Sequence, residues 1–314
     1  MMWNTPRAAS TSERGFVLVA VLWIIAALSA LATIFALYLS NSAQALAISD
    51  TSLQTEALVS ASVELTAYQL SLTQDNARPL QGSFRYRMND ADIVVAFVSE
   101  GGRIDLNLAP KRLLENFLSG LGAAPQDAAQ YADRIIGWRT PPKSNSVEDE
   151  VSLYRAAGLA YSPRQAPFAH VNELALVVGL PPALVDRALP FVTVFSGQPK
   201  INVLVAPPEV IAALPGMTPS ALKEFLEIRP TLPRDPAAVA AALGPAQASA
   251  TIEKSGFFRI RTTVRFENGR QTSSEVVIDL GGGEQDPYRV LSWRDAVETT
   301  IDRARKRVGG SDDF

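Results

Sequence analysis

From Phe16 to Leu39 the chain reads FVLVAVLWIIAALSALATIFALYL, 24 residues without a charge, a glycine or a proline. As a helix this run would span about 36 Å, enough to cross a hydrocarbon core of about 30 Å with some tilt. A secretory h-region is shorter, about 7–15 residues, and is followed by a small-residue cleavage site. The run therefore predicts a retained transmembrane segment. No glycine or proline occurs anywhere between Phe16 and Arg78, so the helix is expected to continue past the membrane. There the pattern turns one-sided: Leu53, Ala57, Ala61, Leu65, Tyr68 and Leu72 recur every three or four residues, a stripe predicted to pack on the rest of the fold. Asn76 to Gly82, with Pro79, ends the helix.

The period then changes to two. Phe84, Tyr86 and Met88 alternate with Arg85 and Arg87, Asn89-Asp90 turns the chain, and IVVAFV follows at 93–98. A second hairpin is predicted downstream. Phe258, Ile260, Thr262, Val264 and Phe266 alternate with Arg259, Arg261, Thr263 and Arg265. Asn268-Gly269 supplies the turn and Glu275–Leu280 the return strand. After Gly281-Gly282-Gly283, read as a mobile loop, Tyr288–Trp293 predicts one more strand, and the charged tail ends in GGSDDF. Between the hairpins, 103–255 reads as short helices and loops rich in proline, such as KRLLENFLSGLG and DAAQYADRIIGW. Strands on both sides of a helical stretch predict an α+β fold in which an all-α domain is inserted between strands of a small antiparallel sheet.

Composition narrows the chemistry. The net charge is −3, and residues 103–255 carry 14 basic and 14 acidic side chains, which is no electrostatic footprint for nucleic acid. The chain has no cysteine, which excludes disulfides and thiolate chemistry, and one histidine. That residue, His170, stands where a helix begins and is read as a packing or capping residue. No nucleophile elbow, phosphate loop or metal-ligand spacing is found, so no catalytic residue is expected. Arg7 and Arg14 precede the apolar run, whereas the first charge beyond it is Asp50. By the positive-inside rule the N-terminus is cytoplasmic and the bulk of the chain translocated.

Several segments together resemble the type IV pilin-like proteins, and specifically the K-type minor pseudopilins of the type II secretion system (the GspK family). A leader ends in Arg14-Gly15, followed by Phe16 and by VLW at 21–23. Gly102-Arg103-Ile104-Asp105-Leu106-Asn107-Leu108-Ala109-Pro110 is similar to that family's G-x-I-N-L-N-x-A motif. Val171-Asn172-Glu173-Leu174 with Val177-Val178-Gly179-Leu180, Ile201-Asn202-Val203 with Ala206-Pro207, and Val290-Leu291-Ser292-Trp293-Arg294 resemble further elements in the same order. The resemblance implies a non-enzymatic subunit at the tip of the secretion pseudopilus. Its expected partners are the I- and J-type minor pseudopilins, other pseudopilins, prepilin peptidase and inner-membrane lipid, with no nucleic acid. It implies peptidase cleavage after Gly15 and methylation of the Phe16 amine. The implied organisation is a leader (1–15), a membrane half-helix (16–39), a periplasmic half-helix (40–78), a sheet domain (79–102 and 256–296), a helical insert (103–255) and a tail (297–314). The expected location is the inner membrane, single-pass, with the C-terminal domain periplasmic.

Two departures from the family pattern matter. Pilin-like subunits mostly carry glutamate at the fifth mature position, where this chain has Ala20. In the family picture that carboxylate neutralises the terminal amine of the subunit ahead, and buried without a partner it would be costly. Its absence fits a subunit with nothing ahead of it. Family members also carry an acid-rich, calcium-binding stretch, and here the matching Gly137-Trp138-Arg139-Thr140-Pro141-Pro142 has lost its acids. Glu148, Asp149 and Glu150 survive as calcium candidates. Calcium takes about six to eight oxygens, so a solvated acidic turn is the expected reading and no cofactor is assigned.

Two rival readings follow from the residues. LSGLG (118–122) and LPGM (214–217) look like helix-hairpin-helix turns, whose DNA-binding versions hold a phosphate on backbone N–H groups. Alternatively, Ala45-Leu46-Ala47 resembles a signal peptidase site, and cleavage there would release an exported soluble protein starting at Ile48.

Overall fold

The computed structural model describes residues 12–73, 77–141, 147–281, 286–295 and 299–300, and of 12–16, 41–51, 147–149 and 299–300 it describes the backbone. Helix α1 runs over Ser12–Leu72. The chain divides into two compact units, 1–57 and 58–314. In the first, the described residues are helical, and Val17–Ser40 is a 24-residue stretch of mean hydropathy 2.7 in which no residue is buried.

The second unit opens with the last turns of α1. Its buried positions are Leu58, Val59, Ser62, Val63, Thr66, Ala67 and Leu70, at helical spacing on one face. This corrects the expected packing stripe. Leu65, Tyr68 and Leu72 are exposed, Leu72 to 67%, while Leu70 is 0% exposed; Leu53, in the first unit, is exposed as well. The physical reason is that two members of the true face are polar. Ser62 Oγ donates to Leu58 O at 2.8 Å and Thr66 Oγ1 to Ser62 O at 2.7 Å, so burying these hydroxyls leaves no donor unpaired. A hydrophobicity count passes over them.

That face packs on an antiparallel sheet. Strands β1 (Gln81–Met88) and β2 (Ala91–Ser99) form the first hairpin, and Asn89 takes the left-handed φ of 52° at its turn. Ala91, Ile93, Val95 and Phe97 point inward from β2. Gly82 lies opposite Phe97, and a Cβ there would sit 2.5 Å from Phe97 Cζ, so only glycine lets the ring cover the edge strand. Buried aliphatic side chains of this kind contribute about 1.5–3 kcal/mol each.

The chain leaves the sheet after Ser99 for the helical insert. Short strand β3 (Ile104–Asp105) leads to α2 (Lys111–Gly120), α3 (Pro125–Arg139), α4 (Val147–Ala156) and α5 (Pro182–Ala188), and β4 (Val192–Thr193) pairs in parallel with β3. Then β5 (Ile201–Asn202) leads to α6 (Pro208–Ala212), α7 (Pro219–Ile228) and α8 (Pro236–Leu243), and β6 (Ala250–Thr251) pairs in parallel with β5. The insert holds a core of its own, from Ile104 through Trp138, Tyr154 and Phe225 to Ala246. The chain returns as β7 (Phe257–Phe266), β8 (Arg270–Asp279), β9 (Arg289–Asp295) and β10 (Thr299–Thr300). The sheet order is β1-β2-β7-β8-β10, with β9 also on β8. Ser99 of β2 lies opposite Phe258 of β7, so the two ends of the insert are neighbours. The tip of the Gly281-Gly283 loop and the tail from 301 lie outside the described residues.

Candidate functional site

The place where insert and sheet meet is built from buried charge. Glu100, in the 3-10 turn after β2, is fully buried. Arg259 of β7 reaches it with Nε at 2.6 Å and Nη2 at 3.0 Å, and its Nη1 meets Glu275 of β8 at 2.5 Å. From the insert side, Thr193 Oγ1 donates to Glu100 Oε2. Burial works against the Arg259 charge, yet Glu100 and Glu275 outweigh it and hold the guanidinium above its ordinary value. Burial also pushes the Glu275 carboxyl up, but Arg259, Arg261 and Arg294 outweigh it and draw it below the usual range. A fork of five donors on a rigid plane suits this junction of two carboxylates, where lysine would serve one.

The motif residues singled out from the sequence prove to be fasteners. Asp105 Oδ1 accepts from Asn107 N at 2.8 Å, and its Oδ2 from Ser196 Oγ at 2.9 Å and Gly197 N at 3.1 Å. Burial pushes its carboxyl up against these hydrogen bonds. Asn107 bridges Phe168, accepting from its N at 2.6 Å and donating to its O at 3.1 Å. Asn202 Oδ1 accepts from Leu204 N and its Nδ2 donates to Glu253 O. His170 Nδ1 accepts from Asn172 N, a capping role. Glu173 accepts from Trp138 Nε1 at 3.2 Å and from Ala169 N at 3.1 Å.

One part of this network, around Asp105 and Asn202, occurs twice. Ile104-Asp105-Leu106 and Ala109-Pro110 recur 97 residues later as Ile201-Asn202-Val203 and Ala206-Pro207. Each copy is a short parallel strand, a side chain–backbone turn, and two helices separated by a glycine at positive φ, Gly122 at +98° and Gly216 at +90°. Ala109 N donates to Asp105 O and Ala206 N to Asn202 O. At the end of the second helix an arginine reaches back to the same carbonyl: Arg139 to Ala109 O and Arg229 to Ala206 O, both at 2.7 Å. The repeat is legible in the sequence as the shared I-[DN]-[LV]-x-x-A-P spacing, although each motif taken singly does not reveal it. The two glycine turns are those that looked like helix-hairpin-helix elements. A Cβ at Gly216 would meet Pro245 Cβ at 3.0 Å, so that glycine packs closely against protein.

The other candidates fall elsewhere. Gly15 and Phe16 lie in the first turns of α1 and Ala47 of the rival cleavage site near its middle, where the backbone alone is described. Ala20 is part-exposed on the apolar stretch. Glu148 and Asp149 stand in α4 with side chains outside the described residues, whereas Glu150 points to α3, where Arg134 Nη1 holds its Oε2 at 2.7 Å. Among the described residues no group of three or more acidic, histidine or cysteine side chains could hold a metal.

Comparison with known proteins agrees with this architecture. Residues 94–197 match the family described as "Type II secretion system (T2SS), protein K". The chain is 27% identical over 155 residues to the type II secretion system protein K of Klebsiella pneumoniae, a match covering 44% of this chain and 47% of that protein. The chain thus spans about half the length of the curated relative it matches. Among solved structures it is similar to a chain of the GspK-GspI-GspJ complex from the enterotoxigenic Escherichia coli type 2 secretion system, at a TM-score of 0.58 and 17% identity, over 79% of this chain and 98% of that one. That likeness concerns the fold.

Proposed function

We propose, taking this chain as a GspK-type minor pseudopilin of the type II secretion system, that it starts the pseudopilus and sits at its tip. The observation that carries the reading is the combination in one chain of an exposed 24-residue apolar helix, a sheet packed under the same helix's last turns, and a large helical insert held on that sheet by Glu100 and Arg259. The apolar stretch is suited to wait in lipid and later to pack among the helices of a filament, since hydrocarbon and apolar side chains are equivalent surroundings for it. The insert leaves from one end of the sheet and returns beside its point of departure, and in this reading it caps the subunit. Ala20, in place of a glutamate, leaves no buried carboxylate that would need the amine of a subunit ahead.

In this reading prepilin peptidase cuts after Gly15 on the cytoplasmic side and the Phe16 amine is methylated. The remaining chain is a single-pass inner-membrane protein with its folded part in the periplasm. The I- and J-type minor pseudopilins are its direct partners, by analogy with the similar GspK-GspI-GspJ complex, in which a K subunit is assembled with an I and a J subunit. Co-purification tests this: the detergent-solubilised full chain should bring down both partner types, and well-folded components that stay separate would contradict it. The nucleic-acid reading is not favoured, because the insert is electrically balanced.

A further inference from the structure

The sheet face turned away from α1 carries two ladders of arginine with a trough between them. On edge strand β1, Ser83, Arg85 and Arg87 point outward; on β7, Arg259, Arg261, Thr263 and Arg265 do. Between them β2 lays down Val98, Ala96, Val94 and Asp92. The registers bring Arg85 level with Val94 and Thr263, and Arg87 level with Asp92 and Arg265. Strands two apart are separated by about 9–10 Å, and the four floor positions extend over about 20 Å. Two hollows lie end to end along this floor. One of about 540 Å³ is bounded by Ala96, Val98, Arg103 and Arg261, and one of about 370 Å³ by Arg85, Val94, Thr263 and Arg265.

The charge of the trough opposes that of the chain. Six arginines line it, at 85, 87, 103, 259, 261 and 265, against Asp92, Glu100, Glu267 and Glu275, a surplus of two positive charges on a protein of net −3. Within the surplus, Arg265 hydrogen-bonds neutral Gln271 at 3.4 Å, and Arg85 stands exposed beside Val94. A recessed floor of small apolar side chains between two cationic walls fits an extended strand whose residues alternate acidic and small apolar. Nucleic acid fits less well, because the outward positions of β1, β2 and β7 named above include no aromatic side chain on which a base could stack.

We propose that this trough is a docking site for an acidic, extended segment of another polypeptide, laid along β2 between the arginines of β1 and β7. The site goes beyond the tip function and stands without it, since it rests on the sheet alone. The test is fluorescence anisotropy with the detergent-solubilised full chain and a labelled octapeptide alternating glutamate and valine. The peptide should bind at low salt and weaken steeply as salt rises, and the octapeptide with lysine in place of glutamate should not bind. Arg85→Glu combined with Arg265→Glu should weaken binding about tenfold or more, and the paired lysine replacements should stay within about threefold. Ala96→Trp, which fills the floor without changing charge, should block binding while circular dichroism stays native. Unchanged binding in the charge-reversed or the Ala96→Trp variant would overturn the proposal. So would a single-stranded oligonucleotide of equal net charge binding as tightly as the peptide, which would make the face a general polyanion surface.

Discussion

Glu100 and Arg259 are 159 residues apart in the chain and meet through two hydrogen bonds, 2.6 and 3.0 Å long, in a place where neither is open to water. They mark the start and the end of the helical insert, so their pairing fixes how that insert is seated on the sheet. Removing one member of a buried pair leaves the other charge stranded, at a cost of about 3–5 kcal/mol. Glu100→Ala is expected at the lower end of that range, because Glu275 still holds Arg259. Chemical denaturation of the full chain in detergent measures it; a loss below about 1 kcal/mol would remove the pair from its structural role.

The packing face of α1 can be checked by two neighbouring leucines. Leu70 is enclosed between helix and sheet and Leu72 faces outward. Leu70→Ala should therefore cost about 2–5 kcal/mol, and Leu72→Ala should stay within about 0.5 kcal/mol. The reverse order in a thermal or denaturant melt would restore the stripe first read from the sequence.

Acid should loosen the outer side of the sheet through Glu275. Its carboxyl is held below the ordinary value of 4.5 by Arg259, Arg261 and Arg294 acting against burial. A carboxylate with a lowered folded pKa stabilises the fold fully above its unfolded value, and that contribution is lost as pH falls through the folded value. Stability should thus decline below about pH 4.5, and Glu275→Gln should flatten the decline in that window. An unchanged acid limb in the variant, followed by circular dichroism, would show that other carboxylates carry it.

What could be read ahead of the structure follows the local rules. Asn89 and Gly269 carry the positive φ of their turns, and the alternation of Phe258 to Phe266 sets the β7 register, because hairpin chemistry lies in neighbouring residues. Helix α1 was equally legible as an element. Its packing face was not, since Ser62 and Thr66 are buried through hydrogen bonds to the preceding turn, which a hydropathy pattern cannot register. Glu100 was invisible for a related reason: a lone acid after a strand reads as solvent-exposed until a partner far along the chain reaches it. The doubled module was legible in principle. Each copy alone reads as a separate motif, and the reach of Arg139 and Arg229 to equivalent carbonyls is what shows them to be one device.

The central claim is that the apolar segment stays with the mature protein after processing at Gly15. Intact mass and N-terminal peptide mass spectrometry of the chain purified from membranes tests it most directly. The account predicts a mature chain beginning at N-methylated Phe16; a chain beginning at Ile48 and recovered free in the periplasmic fraction would contradict it.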